Sequence, residues 1–372
     1  MDSIHDKQET KKQKLDEEVT QVEEQPEDTA TVEYDEGEMK LGQELIAAVI
    51  ANDLEKVKAL VEQGADLCFS GDDLGRTPLH HAAEHGFMDI VTWLLSEKHP
   101  YNLTDKNEVT AGELALKNNH KKVYDYLVEE GVRTELLIRA LKRAFGDDDE
   151  DISAIANEAY LKQKLHYDDN KLMDENNDAV MMGWEGPLMV EHAKVMCPKK
   201  EGLNVLNVGF GLGLIDSELQ KYKPQNHYII EAHPDVYAHM LELGWDKKPG
   251  VKILFGRWQD KISELDIAFD GIFFDTYGEF YDDLRAFHEC VPNILNEKGI
   301  YTWFNGLGAT NQFFHDIYCN VSEIDLREFG LSTEYIEMPI STWAEQGVWD
   351  GVRQKYWVLD TYKLPICKFL LE

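Results

Sequence analysis

Cysteine is scarce in this chain. The five in 372 residues, Cys68, Cys197, Cys290, Cys319 and Cys367, are odd in number, widely scattered and form no CxxC pair. That usage argues against both a disulfide framework and a zinc site, and it is expected of reduced thiols in an intracellular protein. Long apolar runs are missing too. Nowhere do eighteen apolar residues follow one another, and the opening MDSIHDKQETKKQKLDEE has no apolar stretch of the signal-peptide kind, so a soluble protein without membrane attachment is expected. Positive charge is also in short supply: 37 Lys and Arg stand against 71 Asp and Glu, a net charge of -34. Phosphate backbones are bound mainly by cations that displace counterions, so this balance argues against nucleic acid and suits basic protein substrates better.

What is present is enough apolar material for more than one core. A chain of 372 residues with 43% hydrophobic side chains and eight tryptophans exceeds the size at which a single core stops growing. Residues 1–39 are rich in Glu, Asp, Gln, Lys and Thr and cannot bury enough apolar surface to offset chain entropy, so an acidic disordered tail is expected there. The cluster Lys11, Lys12 and Lys14 reads as part of that solvated segment. Residues 40–133 repeat at a spacing of roughly 33 residues. The clearest copy begins at Gly75, where Thr77, Pro78, Leu79, His80 and Ala82 reproduce a T-P-L-H-x-A start. ANDLEKVKALVEQGAD upstream and TAGELALKNNHKKVYDYLVEEG downstream are partial copies. The pattern resembles ankyrin repeats, an all-α module that implies a protein partner or a buttress for the neighbouring domain. About three repeats is the minimum for such an array, so it is expected to lean on that domain. Residues 134–152 read as a connecting helix, TELLIRALKRAF, followed by the acidic linker Gly146–Asp151.

From 153 to 372, buried-strand runs alternate with helical patterns: LNVLNVGF, HYIIEA, VKILFG, FDGIFFDTY and GIYTWFNG. This predicts a doubly wound, mainly parallel α/β sheet. Its first strand runs into a turn with Gly209, Gly211 and Gly213, a place where backbone comes close to a nucleotide at a helix N-terminus. The spacing is G-x-G-x-G, with Leu214 where a dinucleotide fingerprint has its last glycine. HYIIEA ends in Glu231, about twenty residues on, suited to two ribose hydroxyls. The third strand ends in Gly256 and Arg257 and the fourth in Asp275, so all four ends are expected at one crevice that binds adenosine.

VGFGLG, IIEA, FDGIFFDTY and an upstream block VMMGWEGPLM together resemble guanidinoacetate methyltransferase. The resemblance is closer still to its fungal relatives, the type IV enzymes that methylate the internal (delta) nitrogen of protein arginine, and it covers about Tyr160 to the C-terminus. It implies a seven-stranded class I, Rossmann-like methyltransferase domain, S-adenosylmethionine as cofactor, a protein substrate with an accessible arginine, a monomer, and residence in cytoplasm and nucleus. By motif it places Val208, Gly209, Phe210, Gly211, Leu212, Gly213, Leu214, Glu231, Ala232 and His233 around the methionine and ribose parts. Gly256 and Arg257 fall at the adenine, and Met181, Met189 and Tyr160 close over the cofactor, which Asp275 also meets. Asn207 departs from the acid that many methyltransferases carry before the glycine turn.

A guanidinium has a pKa above about 12 and no free lone pair, so two carboxylates are needed to orient it and take its proton. The resemblance makes Asp275 the proton acceptor and Glu185 the orienting group. Trp184, Tyr277 and Trp303 are candidate pocket walls and Asn305 a candidate substrate contact. Two alternatives stay open: a small guanidino substrate such as guanidinoacetate, and a non-catalytic ankyrin scaffold. No (D/N/S)PPY segment follows the fourth strand, which argues against a DNA adenine methyltransferase, and no two-glutamate hairpin marks a type I or II arginine enzyme.

Overall fold

The computed structural model describes residues 34–145, 152–168, 170–198, 201–277 and 280–370. The acidic linker Gly146–Asp151 and nearly all of the N-terminal tail lie outside them. The part of the tail that is described corrects its boundary: Asp35 caps a helix Glu36–Ile50, accepting from the backbone of Gly37 and Glu38 while Glu38 reaches back to the cap. The segment assigned to a disordered tail through 39 therefore ends in helix, because a capping box followed by an apolar face at Gly42, Leu45, Ala48 and Val49 starts there.

Helix pairs follow in ankyrin fashion: Glu36–Ile50 with Leu54–Glu62, Pro78–Glu84 with Met88–Ser96, and Ala111–Lys117 with Lys121–Phe145. The T-P-L-H run acts through His80, whose ring bonds Thr77 Oγ1 at 2.8 Å and the Val109 carbonyl of the next repeat at 3.1 Å. The last helix runs 25 residues without a break, so the expected division between repeats and connecting helix at 133/134 falls inside one helix. Gly131 survives there because a Cβ would lie 2.4 Å from Ile317 Cδ1: its bareness lets the helix press against Gln312–Glu328. Phe313, Ile317 and Val321 of that second helix sit in the same apolar core as Leu94, Leu127 and Val128 of the repeats. The repeat module thus does lean on the second domain, as a three-repeat array must.

The second domain carries a seven-stranded sheet built from β4 (Asn204–Val208), β5 (Asn226–Glu231), β6 (Val251–Phe255), β7 (Phe269–Phe274), β8 (Leu295–Trp303), β9 (Leu331–Pro339) and β10 (Thr361–Phe369). The order is β6-β5-β4-β7-β8-β10-β9, parallel through β8 and antiparallel for β10. The chain winds outward from β4 to β6 and returns on the other side of β4 at β7. A crevice opens where the winding reverses, at the carboxyl ends of β4 and β7. Register brings Val208 beside Ile230 and Phe274, so the loops after three strands meet there. A small antiparallel sheet, β1 (His166–Asp168), β2 (Lys171–Met173) and β3 (Ala179–Met182), stands over this crevice.

Candidate active site

Two cavities meet at the end of β7. The first is walled by Val208, Gly209, Gly211, Glu231, Gly256 and Asp275 among others. The second is walled by Glu185, Phe280, Leu284, Phe304, Leu307 and Tyr356 among others, together with residues it shares with the first. Val180, Asp275, Thr276 and Tyr277 belong to both.

The glycine turn leaves the first cavity its shape. Gly209, Gly211 and Gly213 all have positive φ, at 94°, 54° and 68°. A Cβ on Gly209 would stand 1.8 Å from the Asp275 carbonyl oxygen, and one on Gly211 would stand 2.7 Å from Met181 Sδ. Glu231 binds the turn from the neighbouring strand, its Oε2 accepting from the Phe210 amide at 2.8 Å and its Oε1 from the His233 amide at 2.6 Å. Beneath the turn, the Asn207 amide donates to both the Gly209 carbonyl and Asp216 Oδ2, each at 2.8 Å. Asp216 in turn bonds His227 at 2.8 Å. A carboxylate at 207 has no proton to give either acceptor, so the departure at this position has a structural reason.

Glu185 sits at the start of the helix Gly186–Met196, and its Oε1 accepts from the Met182 amide at 2.9 Å and the Tyr356 hydroxyl at 2.5 Å. Burial pushes its carboxyl up to about 7, against the lowering effect of those two bonds. Asp275 has an Oδ2 sealed from solvent and without a hydrogen-bond partner. Enclosure first, and the charge of Glu185 second, hold it well above the usual carboxylate range. Two carboxyls raised in this way form a pocket for a cation that carries its own donors.

The raised Glu185 carboxyl has a consequence for stability. A folded pKa above the unfolded one stabilises the fold at low pH, and that contribution is lost as pH rises through the folded value. Glu185→Gln is therefore expected to melt at a higher temperature relative to the parent as pH climbs from about 4.5 to about 7, with the difference vanishing at the acid end. Thermal melts of both proteins across that window check it, and a difference independent of pH would contradict the raised carboxyl.

Most of the sequence-predicted residues converge here, and some do not. Tyr160, Met181, Val208, Gly209, Gly211, Glu231, Ala232, His233, Gly256, Arg257 and Asp275 wall the first cavity, with the Tyr160 ring 5.0 Å from His233 and 4.8 Å from Tyr277. Phe210, Leu212, Gly213 and Leu214 contribute backbone to the turn; the Phe210 side chain is buried against Trp245. Met189 does not reach the first cavity. It is fully buried with Ala193, Met196 and Val205, since 189, 193 and 196 fall on the helix face that packs on the sheet.

Trp184 packs among Trp349, Tyr356 and Trp357, and Trp303 lies in the core, so neither walls either of these two cavities; Tyr277 walls both. Asn305 is fully buried and walls neither cavity; its Nδ2 donates to the Lys363 carbonyl at 3.0 Å and to Cys319 Sγ at 3.3 Å.

Comparison with known proteins agrees with both halves of this architecture. Residues 148–330 match the guanidinoacetate N-methyltransferase family, and residues 45–137 match three copies of the ankyrin repeat. The chain is 38% identical over 343 residues to a Cryptococcus neoformans protein named protein arginine N-methyltransferase 2, covering 84% of this chain and 91% of that one. With the Aspergillus oryzae protein of the same name the identity is 32% over 401 residues, 88% of this chain and 96% of that one. A Yarrowia lipolytica namesake is 47% identical over 222 residues, which span 56% of this chain and 47% of that protein. The chain belongs to the protein arginine N-methyltransferase 2 family.

In this family member, sequence reasoning passed over Tyr356. It lies 171 residues from Glu185 and in no motif, and only the fold brings it to that carboxylate. Leu172, which covers the first cavity, was missed because β2 is three residues long, too short for a periodic signal, while Val180, which also covers it, opens the VMMGWEGPLM block and was given no role there.

Proposed function

We propose that this chain transfers the methyl group of S-adenosylmethionine to the internal (delta) nitrogen of arginine residues in proteins. The observation that carries the reading is the division of labour between the carboxylates. Glu185 faces the second cavity alone, whereas Asp275 stands in the wall shared with the first. The first cavity fits the cofactor: backbone without side chains at Gly209 and Gly211, an acid at the end of β5, and Gly256 with Arg257 at the end of β6. When bound, S-adenosylmethionine supplies an electrophilic methyl on a sulfonium.

The protein's own residues do the rest. Glu185 holds the terminal nitrogens of the guanidinium and draws its positive charge toward them. Asp275, at the junction, accepts the proton of the nitrogen that faces the cofactor cavity. General-base help of this kind contributes about 100- to 10,000-fold, and positioning in line adds several kcal/mol without a covalent intermediate. Tyr277 and Val180 close the junction against water. With the terminal nitrogens engaged by Glu185, the internal one is left toward the methyl, in keeping with the resemblance to the delta-N enzymes. Phe280, 56% exposed, marks where the second cavity reaches the surface and a protein chain can enter.

Glu231→Ala is expected to raise the dissociation constant for S-adenosylmethionine more than about tenfold, through two ribose hydrogen bonds worth roughly 1 to 1.5 kcal/mol each. Calorimetric titration reads this directly, and an unchanged constant would put the ribose elsewhere. The reaction itself is tested by incubating the chain with methyl-labelled cofactor and a cell lysate, hydrolysing the labelled protein and identifying the product by mass spectrometry. Delta-N-methylarginine is the expected product. Label confined to a small guanidino metabolite would transfer the reading to the guanidinoacetate-type reaction.

A further inference from the structure

The repeat module touches the catalytic domain where the second cavity is walled, and it does so through polar groups that apolar packing alone does not require. Arg139, on the last repeat helix, donates to Asp325 Oδ2 at 2.5 Å. The Tyr281 hydroxyl donates to the same oxygen at 2.6 Å, and the Arg139 guanidinium lies 5.1 Å over the Tyr281 ring. Arg285 stands 3.4 Å from the other oxygen of Asp325. Tyr281 opens the helix Tyr281–Ile294, directly after Phe280 and one turn before Leu284, two residues of the cavity wall.

A second attachment sits at the opposite border. Asn311 Nδ2 donates to Glu113 of the third repeat at 2.7 Å while its Oδ1 caps the helix Gln312–Glu328. That helix returns through His315 Nδ1, 2.6 Å from the carbonyl of Leu307, which also lines the second cavity. Gly112 of the same repeat is bare because Phe313 fills its side-chain space, with ring carbons 2.3 Å from where a Cβ would stand.

We infer that the ankyrin module is a working part of the substrate cavity, and that Arg139 is a positioning residue that sets Phe280 and Leu284 through Asp325 and Tyr281. Arg139 touches no reacting atom. Its carboxylate partner is almost wholly buried, with 2% of the Asp325 side chain exposed, so removing the guanidinium leaves that charge to Arg285 and the Tyr281 hydroxyl alone, and the Tyr281 end of the contact must readjust around it. The helix start that would shift carries the cavity wall. The cofactor cavity is framed instead by the ends of β4 to β7, by β2 and β3, and by Asn157, Tyr160 and Leu161. The inference rests on the arginine-methylation reading for its kinetic consequence, though not for its structural one.

The test uses the full chain with Arg139→Ala and, as the milder change, Tyr281→Phe, which keeps the ring and loses only the hydroxyl. Amide hydrogen exchange read over residues 280–287 is expected to quicken in both, with exchange in β4 and β5 unaltered. With a synthetic peptide bearing one central arginine as methyl acceptor, KM for the peptide is expected to rise about tenfold in Arg139→Ala, and less in Tyr281→Phe, as a displaced positioning contact allows. The dissociation constant of S-adenosylmethionine should stay within about twofold, because the altered contact lies outside its cavity. Unchanged exchange over 280–287 would overturn the inference, as would a parallel loss of cofactor affinity with exchange rising throughout the domain. Should Arg139→Ala not fold, Tyr281→Phe decides on the same readouts. If the parent protein does not methylate the peptide, the functional reading fails while the exchange measurement still decides whether Arg139 sets the wall.

Discussion

Asp275→Asn is expected to retain the fold and bind S-adenosylmethionine within a few fold of the parent, yet to transfer methyl at least about two orders of magnitude more slowly. The side chain is close to isosteric, and the backbone contacts that tie this strand end to the glycine turn, such as the Asp275 amide donating to the Val208 carbonyl at 2.9 Å, are untouched. What the amide cannot do is take a proton. The parent carboxylate is suited to that task because Oδ2 has no partner within the protein and because enclosure and Glu185 raise its basicity. Single-turnover rates at saturating cofactor separate the chemical step from binding. A variant as fast as the parent would remove Asp275 from the mechanism.

Gly209→Ala is expected to be nearly as severe by a different route. The new methyl would have to occupy space 1.8 Å from the Asp275 carbonyl oxygen at a φ of 94°, a region that L side chains rarely adopt. The obstructing atom is backbone, so relief requires the ends of β4 and β7 to separate, and with them the wall between the cavities. A left-handed strain of about 1–3 kcal/mol plus the clash puts the loss of stability at about 3 kcal/mol or more, with cofactor affinity falling by at least about tenfold. Gly202→Ala is the control: its φ of 74° is similar, but no heavy atom lies within 4 Å of the added carbon. It should cost about 1 kcal/mol and leave cofactor binding alone. Denaturant unfolding and cofactor titration of the two variants make the comparison, and equal effects would mean that strain at the turn, rather than its approach to Asp275, limits the site.

The residues that could be read in advance share a physical property. Asn204–Val208 and Asn226–Glu231 are covered on both faces, so they appear as apolar runs, and the glycine turn is constrained by a steric requirement that few residue types satisfy. The ends of these strands define the first cavity, which was therefore largely legible. Strands β9 and β10 were expected only in number, through the seven strands that the resemblance implies, and were not located: β9 is half-buried or exposed at all but one residue and β10 contains Pro365, and neither reads as a buried parallel strand. The second cavity was legible only at Glu185, Asp275 and Tyr277. Among its other walls, Phe280, Leu284, Phe304, Leu307 and Tyr356 come from a helix start, one loop and a distant tyrosine, whose meeting depends on tertiary packing that no local pattern encodes. Met189 shows the reverse error. Its motif neighbours pointed to the cofactor, while its spacing from Ala193 and Met196 already marked it as core.

The most direct test of a site built from two joined cavities is a crystal structure of the full chain with S-adenosylhomocysteine and an arginine-containing peptide. The account predicts the nucleoside between Glu231 and Gly256, with the guanidinium in the second cavity, its terminal nitrogens on Glu185 and its internal nitrogen beside Asp275. A guanidinium bound away from those two carboxylates, or a nucleoside outside the glycine turn, would contradict it.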